Sequence, residues 1–187
     1  MRDRTDELIS AIAERARTPG MATSIGPARA AYAPVPLLGF EKEEQEIGFP
    51  FPGLLKRLYT EVGNGGFGPG YGLLSIARIS PADRPILHYY SRFRAGSSRG
   101  RDWTAGIIPF NEWGDLILSC VDLSDPGYRN DPPVIRFEPN MPAEHTHRYL
   151  KGKPFHGAGL IPEAESLSQW FRDWLDGKEM FKRPYSL

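Results

Sequence analysis

The sequence predicts an α+β fold in a single domain. Three observations carry this. Segments with 3.6-residue apolar periodicity lie near both ends of the chain and before residue 63. Short apolar or alternating runs, broken by turn formers, fill residues 105–138. Helices therefore precede and follow a block of strands, where a parallel α/β sheet would interleave them. The chain has 187 residues, which suits one domain, and 40% hydrophobic residues with ten Phe, eight Tyr and four Trp supply a core.

In chain order, residues 5–17 form an amphipathic helix with Leu8, Ile9, Ile12, Ala13 and Ala16 on one face, stopped by Thr18-Pro19-Gly20. Residues 19–39 are rich in Ala, Pro and Gly and read as an extended arm. A short helix follows over 40–46. In "FPGLLKRLYTEV" (51–62), Pro52 suits the first helical position, and Leu54, Leu55, Leu58, Tyr59 and Val62 make a stripe. A glycine-rich loop spans 63–72, and "GLLSIARI" reads as a strand. Ser80 is a candidate cap for a helix carrying Ile86, Tyr89, Tyr90 and Phe93. Strands are expected at 105–110, 115–121 and 133–138, with "NEWG" as a hairpin gap. "HRYL" and "KPFHGAG" are candidate edge pieces. The last helix is the clearest. Ser166 and Gln169 form a capping-box pattern, Leu167, Trp170, Phe171, Trp174 and Leu175 make a dense stripe, and Gly177 ends it. Its tryptophans are expected in the core.

Composition excludes several function classes. Lys+Arg and Asp+Glu both number 23, so there is no basic excess for nucleic acid. The arginines at 92, 94, 99 and 101 read as a solvated face or loop. One cysteine, Cys120, in an apolar run excludes an internal disulfide and a thiolate cluster. The N-terminus has no signal-peptide pattern and no apolar stretch has the length of a membrane span, so a cytoplasmic setting is expected.

Three motifs suggest chemistry and fail on context. "GNGGFG" (Gly63, Gly65, Gly68), with Asp83 about twenty residues on, matches the dinucleotide fingerprint as a string. That fingerprint needs a strand before it and a helix N-terminus after it, and here a helix precedes and a strand follows. The sequence instead predicts a helix-to-strand turn with unusual backbone angles at Asn64-Gly65-Gly66 and Phe67 close to the core. "GSSRG" (96–100) places Ser98 at a nucleophile position, with His145, His147 and His156 downstream, but lacks the strand and helix of a nucleophile elbow. His145 and His147 share one face only if they lie on a strand, and a third metal ligand has no fixed spacing. Asp122, Asp125 and Asp131 lack the ligand spacing of a calcium loop, and Asp122 suits a backbone cap at a strand end. No cofactor is expected.

Beyond these, "IGFPFPGLLKRLYTEVGNGGFGPGYGLLSI" resembles the core signature of the SUKH superfamily, the Smi/Knr-like domain. Trp103 to Gly114, "CVDLSD" and "SLSQWFRDWLDG" resemble its later blocks in the same order, over about 40–177. The resemblance divides the chain into an N-terminal helix and arm, 1–39, and a SUKH-like domain, 40–187. It implies one curved, mainly antiparallel sheet with helices packed on it. Structural motif positions carried over are Asn64, Gly65, Gly66 and Phe67 at the turn, Trp113 and Gly114 at the hairpin, and Asp122 after the next strand. It implies a non-enzymatic module that binds a protein partner, as bacterial immunity proteins bind toxins. Candidate contacts are Phe67 and Tyr71 in the glycine loop and Asp125 and Tyr128 in the acidic loop. A regulatory scaffold without a toxin and a small hydrolase using Ser98 are the rival readings.

Overall fold

The structure is a computed structural model that describes residues 4–18, 20–25, 31–96, 103–128, 130–150, 152–153 and 155–181, apart from the side chain of Tyr128. Ser98, Arg99 and Arg101 lie outside the described residues.

The described residues fold as one α+β domain around a five-stranded antiparallel sheet in simple chain order. At its centre, β2 (Ile107–Gly114), β3 (Ile117–Asp122) and β4 (Val134–Phe137) pair as neighbours. β1 (Gly72–Leu73) lies at one edge and β5 (Leu160–Ala164) at the other. The sheet departs from the sequence expectations at four places. "NEWG" is not the hairpin turn. It extends β2, and the turn is Asp115-Leu116, with φ of 52° and 63°. Two consecutive left-handed residues match the right-handed strand twist. The predicted strand "GLLSIARI" shrinks to two residues, Gly72 and Leu73. "HRYL" belongs to a helix, α5 (Ala143–Leu150). β5 was not expected, because Pro162 interrupts its run and proline suits only an edge strand.

The helices cover the sheet. α1 (Arg4–Arg17) packs against α6 (Leu167–Leu175). α2 (Leu37–Ile47) is longer than expected by a few residues at its start, and Pro52 is the cap before α3 (Gly53–Arg57), not its first residue. α4 (Ile86–Arg94) packs on β2 and starts at Pro85, so Ser80 caps nothing there and instead accepts a turn hydrogen bond from Asp83. Ile12, Leu55, Leu58 and Tyr59 are fully buried, and burial of each such side chain contributes about 1.5–3 kcal/mol. Aromatic rings fill both sides of the core. Phe93 and Trp103 pack with Phe137, and Phe110 packs with Trp170 and Phe171.

α6 is held at both ends. Ser166 accepts from the Gln169 amide at 3.2 Å and Asp131 accepts from the Ser168 amide at 2.8 Å. The Gln169 side chain turns to Asp173, so only half of the capping box forms. At the other end, Arg15 donates to the Trp174 and Leu175 carbonyls at 2.8 and 2.9 Å and stacks over the Trp174 ring. A cation placed there meets the negative end of the helix dipole.

A polar chain crosses this core. The Trp113 indole donates to Ser119 Oγ at 2.8 Å, and Ser119 donates to Glu163 Oε2 at 2.7 Å. Glu163 as a residue is partly exposed, yet its Oε1 is shut off from solvent. Burial pushes its carboxyl above the ordinary value of 4.5, and the Ser119 hydrogen bond and Arg136 charge only partly offset that. The folded protein therefore keeps this proton at pH values where the unfolded chain has lost it, so this group destabilises the fold increasingly as pH rises above the unfolded value. Glu163→Gln removes the titration. Its stability relative to the parent is expected to improve from about pH 4 to pH 8 in urea unfolding. A difference independent of pH would contradict this.

Candidate functional site

The glycine loop is built from the end of a helix. α3 continues through a π-helical turn, Leu58–Val62, and the Gly63 amide closes it on Leu58 O at 3.0 Å. Asn64 then acts as a hub. Its Oδ1 accepts from the Ile76 and Ala77 amides at 2.9 and 3.2 Å, and its Nδ2 donates to Ala77 O at 2.7 Å. Those amides are thus taken by a side chain, which is why the strand after Gly72 stops so early. Of the three residues expected to take unusual backbone angles, Gly65 and Gly66 do, with φ of 83° and 77°, whereas Asn64 does not have positive φ and contributes through its side chain. A Cβ on Gly65 would lie 2.6 Å from Leu73 O, so both its angle and its space require glycine. Phe67 follows with no exposed surface.

This loop closes the edge of the sheet. Gly66 N donates to Leu73 O at 2.9 Å and Leu73 N donates to Phe67 O at 2.7 Å, so the outer side of β1 is already paired. The arm packs on the loop in turn. Gly68 N donates to Ala22 O, Ile25 N donates to Gly70 O, and Asn64 N donates to the carbonyls of Tyr32 and Ala33. The amides of Gly65, Gly66 and Gly68 all donate to protein carbonyls, which leaves none of the three to cradle a phosphate. Asp83 accepts from Ser75 Oγ and the Ile79 amide and so fixes a neighbouring loop.

Beside the loop lies a cleft of about 430 Å³, floored by Gly72 to Ser75 and rimmed by Ile25, Tyr71, Ile79 and Arg84. Tyr71 is 47% exposed, and Ile25 and Ile79 are each 40% exposed. Inside it, Glu112 of β2 is partly buried. Burial raises its carboxyl pKa, and the charge of Arg84 partly offsets this. The Tyr89 phenol is raised in the same way by burial, with Glu112 adding to the effect and Arg84 opposing it. Sequence reasoning found Tyr71 here but missed Glu112, Ile25, Ile79 and Arg84. A charged residue inside the mainly apolar "IIPFNEW" is the available signal for Glu112.

The other candidates fall elsewhere. Phe67, expected both in the core and at a contact surface, is fully buried, so the surface part falls to Tyr71. His145 and His147 sit on a helix, where i and i+2 do not share a face, and His147 stacks on Phe155 at 4.3 Å. Asp122 accepts from the amide and hydroxyl of Ser124 and lies 3.5 Å from His156 Nε2. Asp125 caps the Gly127 amide and Asp131 the start of α6. Asp122 and Asp125 thus serve local turns and Asp131 a distant helix start, and the described residues hold no group of three or more His, Cys, Asp or Glu poised for a metal. No helix among them is long and apolar enough to cross a membrane.

The sequence model of the SMI1/KNR4 family (SUKH-1) matches residues 40–173, more than two thirds of the chain. The chain belongs to that family. Searches of curated proteins and of solved structures find no match. The SUKH-1 match begins inside α2 and contains the Asn64 hub, the Trp113-Gly114 hairpin and Asp122. The family includes immunity proteins, and SUKH domains are protein-interaction modules. α1 and the arm precede the matched segment, but Leu8, Ile12 and Ala22 belong to the same hydrophobic core.

Proposed function

We propose that the chain is a non-enzymatic binding module, an immunity protein that recognises one protein toxin in the bacterial cytoplasm and covers its active site or substrate path. The observation that carries this reading is the rim of the cleft. Tyr71 and Ile79, within the SUKH-1 segment, and Ile25 from the arm hold apolar surface to solvent around a concavity. An exposed aromatic beside a preformed depression is the usual form of an interface anchor. Of the glycine-loop motif, Gly66 lines this cleft, and the acidic loop at Asp125 and Tyr128 is the second proposed contact region.

The test is co-purification with a toxin encoded beside its gene, followed by protection of cells that express that toxin. Tyr71→Ala is expected to weaken the complex by about 2 kcal/mol, roughly thirty-fold in Kd, with the unfolding midpoint unchanged. Absence of any toxin-like neighbour or partner would sink the reading. So would a Tyr71→Ala variant that protects as well as the parent.

A further inference from the structure

We propose that this cleft receives a basic, extended segment of the protein partner, with one Lys or Arg side chain seated against Glu112 beside Tyr71. The inference rests on the protein-binding reading above and adds to it the chemistry of the bound segment.

Four observations lead there. First, Glu112 stands where two concavities meet. A second depression, of about 470 Å³ and containing Trp113, Asp115 and Phe181, shares Ile25, Tyr71 and Glu112 with the first. The two depressions thus adjoin along these residues, on either side of Glu112. Second, its described charges are acidic on balance, with Asp83, Glu112 and Asp115 against Arg84. Third, the acids are not equally engaged. Asp83 is committed to Ser75 and Ile79. Among the described residues the Glu112 carboxylate accepts no hydrogen bond and has no cation within 4.0 Å. A partly buried carboxylate without donors is unfavourable, and a guanidinium or ammonium supplies both charge and donors. Fourth, the half-exposed Tyr71 ring stands beside it, ready to cover the aliphatic stem or face the cation. Strand addition at the edge beside this cleft is closed to the partner, because the glycine loop already pairs with the outer side of β1. Side chains must therefore carry the recognition.

The test uses the full chain and three small probes: N-acetyl-arginine amide, N-acetyl-lysine amide and the neutral N-acetyl-citrulline amide. Each is titrated while the backbone amide shifts of Tyr71, Leu73 and Glu112 are followed by NMR. Saturable shifts at these amides with the two cations, and at least about five-fold weaker binding of citrulline, are expected for a close charge pair in a partly desolvated site. Glu112→Gln should lose the same factor while keeping the parent's urea midpoint. Equal binding of arginine and citrulline, shifts confined to other surfaces, or no saturable shift would overturn the proposal. So would a Glu112→Gln variant that binds like the parent, or an oligomer in which a second copy of the chain fills the cleft. None of these readouts involves a toxin, so the basic-segment inference and the toxin reading fail separately.

Discussion

Replacing Asn64 with alanine is expected to lower stability by about 2–4 kcal/mol, a large share of the roughly 5–15 kcal/mol that holds a typical domain. The side chain is buried and makes three hydrogen bonds to backbone groups twelve and thirteen residues away. Alanine leaves the amides of Ile76 and Ala77 and the Ala77 carbonyl without that partner. Each unsatisfied buried group costs about 1–3 kcal/mol, reduced where water reaches it. In a domain of this size the thermal midpoint should fall by about 5–15 °C. Asn64→Asp provides an internal control with a defined sign. Its carboxylate still accepts from the two amides but faces the Ala77 carbonyl without a proton. Acidification restores a donor, so this variant should recover part of its deficit as pH falls, whereas Asn64→Ala should not. Urea unfolding at two pH values reads both. A loss below about 1 kcal/mol in Asn64→Ala, small for a buried hydrogen-bonded group, would show that the hub carries little.

The same residue explains what was legible in the sequence and what was not. "GNGGFG" announced a turn because glycine and asparagine tolerate positive φ, and Gly65 and Gly66 adopt it. α6 was legible because its cap, its stripe and its terminal glycine all lie within twelve residues, and Trp170 and Trp174 are buried as that stripe requires. "GLLSIARI" misled because its apolar run is that of a strand, while the partner that ends the strand is a side chain far back in the chain. "EHTHRYL" misled for a different reason. Its buried Thr146 and Leu150 are four apart, a helical spacing, but two residues are too few to declare a period. The cleft was the least legible part. Its walls come from the arm, the glycine loop, residues 79–84 and β2, and no local pattern joins them. Tyr71 could be named from the sequence as an exposed aromatic candidate, but Glu112 acquires its setting only when β2 pairs with β1.

Trp170→Ala is the second large effect, expected at about 3–5 kcal/mol. The indole is 1% exposed and packs edge-on against Phe110 at 4.9 Å and Phe171 at 5.0 Å. Two outcomes are conceivable when it is removed: α6 peels away, or the helix stays and a cavity remains. The anchors decide between them. Ser166 and Asp131 hold the first turn, Arg15 holds the last carbonyls, and Phe171 and Trp174 still fill their places. The helix should therefore stay docked over a hole lined by the Phe110 and Phe171 rings, with the Glu163 carboxyl at its border. A docked helix with a ring-sized hole binds the missing ring, so free indole should raise the thermal midpoint of Trp170→Ala and leave the parent's unchanged. Trp170→Phe keeps most of the ring area and should cost only about 1–2 kcal/mol. Far-UV circular dichroism with the indole titration separates the cases. Loss of helical signal without indole rescue would mean that the tryptophan, and not the caps or Arg15, is what fastens α6 to the sheet.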